Sequence, residues 1–264
     1  MSARLEKIFS DCAEKNRAAL ITFVMGGDPD FATSEKILQA LPTFGADIIE
    51  IGMPFSDPMA DGPVIQAAGQ RALKAGINLN HILELAKSLR EKHPAVGIVL
   101  MGYYNPVYAY GEKKFLVEAK KSGVDGILLV DLPPEEDSEF ANEATTHGIS
   151  LIKLIAPTTP ETRMKMIEKK ASGFIYYVSI AGITGTHSAK ITEVKKSLAK
   201  LKKITKLPIA VGFGISQPSI AGLFAKFSDG VVVGSALVEI AGHPTNSAKS
   251  IENFVRELAA AMQR

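Results

Sequence analysis

The chain has 264 residues, 46% of them hydrophobic, and a formal charge of +2 from 30 basic and 28 acidic side chains. That apolar content supplies a sizeable core and excludes a disordered chain, while charges spread evenly, with Lys-Lys pairs beginning at Lys113, Lys120, Lys169, Lys195 and Lys202, offer no basic face for nucleic acid. Cys12 is the only cysteine, which excludes an internal disulfide and a cysteine-based metal cluster, and the five histidines are scattered without ligand spacing, so no metal is expected.

The chain opens with MSARLEKIF, charged where a signal peptide would be apolar, and no later segment is apolar and long enough to span a bilayer, so a soluble cytoplasmic protein is expected. Leu5, Ile8, Phe9 and Cys12 recur at helical spacing, which predicts an N-terminal helix over residues 2–15 with one buried face. A first strand follows at Ala19–Met25, then the loop GGDPD and a helix over 31–41. Further strand-like runs lie at 48–51, 96–101, 126–130, 151–155, 174–178, 209–211 and 230–233. Between them the amphipathic segments are 64–75 with 81–92, 113–122, 134–146, 161–170, 191–203 and 218–227, and 247–262 closes the chain.

Strands that are almost continuously apolar and alternate with helices imply parallel pairing, because only a parallel crossover needs so long a connection. Eight such units in one chain predict a (β/α)₈ barrel, an α/β fold. A doubly wound sheet would carry a Gly-rich dinucleotide loop after its first strand, and GGDPD does not fit one. No Ser-, Pro- or Gly-rich linker divides the chain, so residues 1–264 are expected to form one barrel domain, with the N-terminal helix capping its lower end.

In this fold chemistry sits at the C-terminal strand ends. The run IIEIGMPFSDPMADGPVIQ, residues 48–66, places Glu50 at the end of an apolar strand and Asp61 in a loop stiffened by Pro54, Pro58 and Pro63. A carboxylate in a buried strand loses hydration worth several kcal/mol unless it is paired, protonated or facing a polar cavity. Two readings stand for Glu50, a functional acid or a side chain reaching solvent past a frayed end, and Asp61 nearby favours the first. Tyr103 and Tyr176 also lie at strand ends, as rim packing or as part of a site. Asp131, before Leu132 and two prolines, caps the next helix or meets substrate. The loops GFGIS at 212–216 and GS at 234–235, after consecutive strands, are suited to holding a dianion with backbone amides and hydroxyls. The loop SIAGITGTHS at 179–188 has the composition of a lid.

Taken together, EIGMPFSDPMADGPVIQ, MGYYNP, SIAGITG, GFGIS and GSA resemble the α subunit of tryptophan synthase over essentially the whole chain. The resemblance implies a (β/α)₈ barrel that cleaves indole-3-glycerol phosphate to indole and glyceraldehyde 3-phosphate, and a β subunit as partner in an α2β2 assembly. It implies no cofactor in this chain, pyridoxal phosphate being expected only in the β subunit. Carried over by motif, Glu50 and Asp61 are the catalytic pair. Phe23, Leu100, Tyr103, Tyr176 and Phe213 fall on indole-pocket or nearby wall positions, Gly185, Gly214, Gly234 and Ser235 on phosphate-binding positions, and Thr184 on the lid residue that reaches Asp61. Ile180 stands where some members have Arg, so a charged contact from the lid is absent. Pro54, Phe55 and Pro58 are expected to present apolar surface to a partner.

A carboxyl at an apolar strand end should hold its proton tightly, which suits Glu50 to acid–base work, whereas Asp61, in a more exposed loop, is expected to stay ionised. Two alternatives remain: a Schiff-base phosphosugar aldolase using Lys153 in strand 5, and a non-catalytic phosphate-ligand-binding barrel. The first requires Lys153 to face the barrel interior, which fails if Leu154 does. The second predicts damage at Glu50, Asp61 and the phosphate loops.

Overall fold

The computed structural model describes residues 2–178, 187–212, 214–242 and 248–264; of residues 187–190 only the helical backbone is described. Its strands are β1 (Ala19–Met25), β2 (Ile48–Gly52), β3 (Gly97–Gly102), β4 (Gly126–Leu129), β5 (Ser150–Leu151), β6 (Lys153–Ile155), β7 (Ile175–Val178), β8 (Ile209–Gly212) and β9 (Gly230–Val233). The helices are α1 (Ala3–Glu14), α2 (Phe31–Phe44), α3 (Pro63–Lys74), α4 (Leu79–Lys92), α5 (Tyr104–Tyr110), α6 (Glu112–Lys121), α7 (Ser138–Thr146), α8 (Glu161–Lys170), α9 (His187–Leu201), α10 (Pro218–Ala225), α11 (Ser235–Gly242) and α12 (Ala248–Ala261).

All strand pairings within the sheet are parallel, in the order β5-β4-β3-β2-β1-β9-β8-β7-β6. The two ends of that order, β5 and β6, are separated along the chain by Ile152 alone, so the sheet closes on itself through one divided strand. The run 151–155, expected as one strand, is thus two pieces, the first pairing with β4 and the second with β7. The result is a (β/α)₈ barrel with an added N-terminal helix.

Alternation of side chains across the strands sorts the core into two layers. Ala19, Ile21, Ile48, Val99, Leu128, Ile152, Phe174, Tyr176, Ala210 and Val232 fill the barrel interior together with Leu5, Phe9 and Cys12 of α1. The larger layer lies between strands and helices. Helix α1 therefore plugs the N-terminal mouth. Leu5 fits there because Gly97, Gly126 and Gly173 lack side chains: a Cβ on any of them would come within 3.4 Å of it. Asp125 fixes the plug by accepting from Ser2 Oγ at 2.9 Å and Arg90 Nη2 at 2.6 Å, and it also holds Arg4. With the lower end sealed, the open mouth is the one at the C-terminal strand ends.

Helix α5 has no counterpart among the segments expected from the sequence. Proline stands there at the third helical position, where its missing N–H has no intrahelical partner to lose. Helix α7 starts at Ser138 rather than 134, the prolines at 133 and 134 having extended the preceding loop.

Candidate active site

Strand β2 aligns Glu50 with Phe23 on β1 and Val99 on β3. Ile48 faces the barrel interior, so by the two-residue period Glu50 faces it one layer higher, towards the open mouth. Its side chain is fully buried, and neither carboxylate oxygen has a hydrogen-bond partner among the described residues. Burial without compensation pushes its pKa from 4.5 up to about 8. Tyr176 lies across the barrel from it. Burial, and secondarily the Glu50 charge, raise its phenol well above the ordinary range. Its hydroxyl lies where a side chain on residue 212 would stand, so Gly212 is required for that approach.

Glu50 and Asp61 line one cavity of about 190 Å3. Phe23, Ile65, Met101, Tyr176 and Val232 form its apolar wall, and Gly214, Ser216, Gly234 and Ser235 form a polar end. Asp61 is half-buried rather than exposed as the sequence suggested; burial raises its pKa, and a hydrogen bond from the Tyr103 hydroxyl opposes that rise. The loop carrying it is stitched down: Asp61 N donates to Pro58 O at 3.1 Å, and Gln66 Nε2 donates to Asp61 O at 2.8 Å. Pro63 then opens α3 at its first position, where φ is already suited to a helix.

At the polar end the chain turns at Gly214 with φ +73°, a left-handed conformation that favours glycine. Helix α11 begins at Ser235, and the Gly234 carbonyl accepts its first intrahelical bond from Val238 N at 3.0 Å. Gly234, Ser235 and Ala236 at that terminus line the cavity, where a helix start is of the kind that suits an anion, and no Lys or Arg is among the described residues of the cavity wall.

A larger concavity of about 790 Å3 lies at the opposite face, between α1 and the α9–β8 connection. It is open and of mixed charge, with Lys202 and Arg264 already paired to Asp229. It contains no fully buried acid like Glu50 among the described residues.

One cavity thus brings together a buried carboxyl, a second carboxyl and a glycine- and serine-lined end. A profile of the family described as tryptophan synthase alpha chain matches residues 9–264. The chain belongs to the tryptophan synthase alpha chain family. Tryptophan synthase subunit alpha from Legionella pneumophila str. Paris is 36% identical, with 99% of this chain and 98% of that one covered and a TM-score of 0.92. Tryptophan synthase from M. tuberculosis, in an aminoacrylate-bound form, is 31% identical over 99% of this chain and 100% of that one, with a TM-score of 0.90. A protein of Aquifex aeolicus VF5 is 38% identical over the full length of both chains, with a TM-score of 0.92. As a family member the chain is a carbon–carbon lyase of the alpha-subunit type, cleaving indole-3-glycerol phosphate to indole and glyceraldehyde 3-phosphate.

Against that family's expected site, Glu50, Asp61, Phe23, Tyr176, Gly214, Gly234 and Ser235 gather on the one cavity. Leu100 does not. It is fully buried on the helix side of β3, and Met101, its neighbour, lines the cavity instead. Period-two alternation puts Met101 on the same side of β3 as Val99, which the register with β2 turns inward. Ser216 belongs to the GFGIS loop already singled out, whereas Ile65, four residues beyond Asp61, was absent from the sequence reading and had only the helical pattern of α3 as a signal. Tyr103 reaches the site through Asp61 and Ala60 and is not on the cavity wall. Thr184, Gly185, Phe213 and Ile180 lie outside the described residues.

Lys153 cannot serve the aldolase alternative from where it stands. Ile152 and Leu154 take the barrel side, while Lys153 Nζ lies 2.5 Å from buried Asp137 and donates to Leu132 O at 3.3 Å. No lysine among the described residues lines the cavity with Glu50. Among the described residues no cluster of His, Cys, Asp and Glu is placed to hold a metal, and no helix is long and apolar enough to cross a membrane.

Proposed function

We propose that Glu50 moves both protons in the cleavage of indole-3-glycerol phosphate. As the acid it protonates the indole carbon that bears the side chain, giving an indolenine-like cation. As the carboxylate it then takes the proton of the adjacent side-chain hydroxyl. The hydroxyl oxygen's electrons form the aldehyde carbonyl while the carbon–carbon bond breaks, and the bonding pair returns to the ring to restore indole. Asp61, as the carboxylate, accepts from the indole N–H and stabilises the positive charge that develops on the ring. The phosphate rests against the amides around Gly214 and Gly234 and the Ser235 hydroxyl. Phe23, Met101 and Tyr176 supply the apolar wall for the ring.

The observation that carries this reading is the fully buried Glu50, with neither oxygen bonded among the described residues and its pKa pushed up to about 8. A group poised near neutral pH serves as acid and base in turn, which an ordinary carboxylate does not. The test is indole release by Glu50→Gln: a loss of about 10²-fold or more is expected, with substrate still bound. Turnover close to the unsubstituted chain's would end the assignment.

We further infer one barrel domain working in the cytoplasm against a β subunit, in an α2β2 assembly, with pyridoxal phosphate confined to that partner. The surface offered for docking differs from the sequence expectation. Phe55 packs its ring 5.4 Å from Tyr103, on its own barrel, whereas Met59 in the same loop is 86% exposed. Met59 is thus the apolar side chain through which pressure from a partner would reach Ala60 and Asp61.

A further inference from the structure

Asp131 follows β4, yet α7 starts only at Ser138, and the carboxylate accepts from Tyr104 N at 2.7 Å. Tyr104 is the first residue of α5, so Asp131 caps a helix that precedes it by 27 residues and belongs to the neighbouring strand–helix unit. The residue before that helix is Tyr103, 3% exposed, its ring against Phe55. Its hydroxyl accepts from Ala60 N at 3.0 Å. Ala60 directly precedes Asp61. With a lone pair engaged by Ala60, the phenolic proton remains available to the Asp61 carboxylate. Three successive strand-end loops are thereby joined in one line: Asp131 to the Tyr104 amide, Tyr103 to the Ala60 amide, and Ala60 to Asp61.

We propose that Tyr103 is a positioning residue for Asp61, and that Asp131, by holding the Tyr104 amide, sets the ring from which the Tyr103 hydroxyl reaches the Asp61 loop. This rests on the reading of Asp61 as the group that stabilises the charged ring. The loop needs such a strut because its tip, at Met59, is almost wholly solvated and has little packing of its own. A carboxylate that must meet a developing charge loses much of its effect when displaced by an ångström. The hydroxyl also opposes the rise that burial imposes on the Asp61 pKa, keeping the carboxylate ionised to lower pH.

The experiment measures indole-3-glycerol phosphate cleavage by the full chain across pH for Tyr103→Phe, Asp131→Ala, Asp131→Asn and, as reference, Asp61→Asn. Tyr103→Phe keeps the buried ring and removes only the hydroxyl; kcat should fall about tenfold, KM should stay within about twofold, and the acidic limb of the kcat profile should move to higher pH. Asp131→Ala should lower kcat in the same way but by less. Asp131→Asn, whose side-chain carbonyl still accepts from Tyr104 N, should restore it. The proposal is overturned by an unchanged kcat in Tyr103→Phe, by a raised KM with an unmoved acidic limb, which would make Tyr103 a wall of the substrate site, or by an Asn variant no better than the Ala one. If Asp61→Asn is inactive in such a case, only the positioning role fails. An active Asp61→Asn would instead remove the reading of Asp61 beneath it.

Discussion

Replacing Glu50 with Gln should make the protein more stable at neutral and alkaline pH while removing its activity. An unfolded glutamate ionises near 4.5, whereas the folded Glu50 holds its proton to about 8. Between those values the folded state binds a proton that the unfolded state does not, so stability falls as pH rises from 4.5 to 8, then levels off. Each pH unit in that window is about 1.4 kcal/mol, which gives about 3 kcal/mol at pH 7 and about 5 kcal/mol at pH 8 and above. The substituted glutamine is neutral throughout and of the same shape, so it carries the cost of a buried polar group without the cost of ionisation. The two proteins should be equally stable near pH 4.5, where the folded chain holds its proton and the unfolded chain has only begun to lose one. By pH 8 the variant's thermal midpoint should be higher by on the order of 10 °C. The assay is thermal and urea unfolding of both proteins at several pH values from 4.5 to 9. A difference that does not grow with pH, or a variant less stable than the original at pH 8, would refute the idea that Glu50 is buried without a partner.

Asp61→Asn should lower the rate of indole formation by about 10²-fold or more, since an amide cannot offset the charge on the ring; near-normal turnover would leave Asp61 with a merely structural place in its loop. Ser235→Asp or Gly234→Asp should weaken binding of phosphorylated ligands while indole binds as before, because a carboxylate would stand against a dianion at the start of α11. Equal weakening of both ligands would move the phosphate elsewhere. Lys153→Met should cost about 3 kcal/mol of stability or less, because buried Asp137 then keeps only Lys170 Nζ at 3.4 Å, yet the folded enzyme should keep its kcat, and borohydride should trap no adduct on Lys153 in the original chain. An adduct there would replace the mechanism with imine chemistry. Titration with the β subunit should raise the cleavage rate about tenfold, a preference of about 1.4 kcal/mol for the assembled site, and Met59→Ala should blunt that gain more than Phe55→Ala. Equal responses would take the docking route away from Met59.

The barrel was legible in the sequence because its strands are covered on both faces and must be apolar almost throughout, while the intervening helices carry a 3.6-residue pattern; those two periods are properties of local sequence. Glu50 stood out for the same reason, as a charge that the local pattern makes costly. Gly214, Gly234 and Ser235 were readable too, since close backbone approach and a helix start both have residue requirements that a few positions reveal. What the sequence leaves open depends on neighbours far along the chain. Leu100 and Met101 are equally apolar, and which of them meets the cavity is decided by the register that places Val99 opposite Glu50. Phe55 and Met59 are two apolar residues in one loop, and only packing against Tyr103 turns the first inward and leaves the second in solvent. Asp131 offers the sharpest case. Its sequence neighbours left capping of the following helix and contact with substrate both open, but the parallel pairing of β3 with β4 brings the start of α5 beside it, and the Tyr104 amide donates to its carboxylate. Local sequence sets what a residue is able to do; the tertiary fold, by bringing distant donors and acceptors within about 3 Å, decides which of those possibilities it meets.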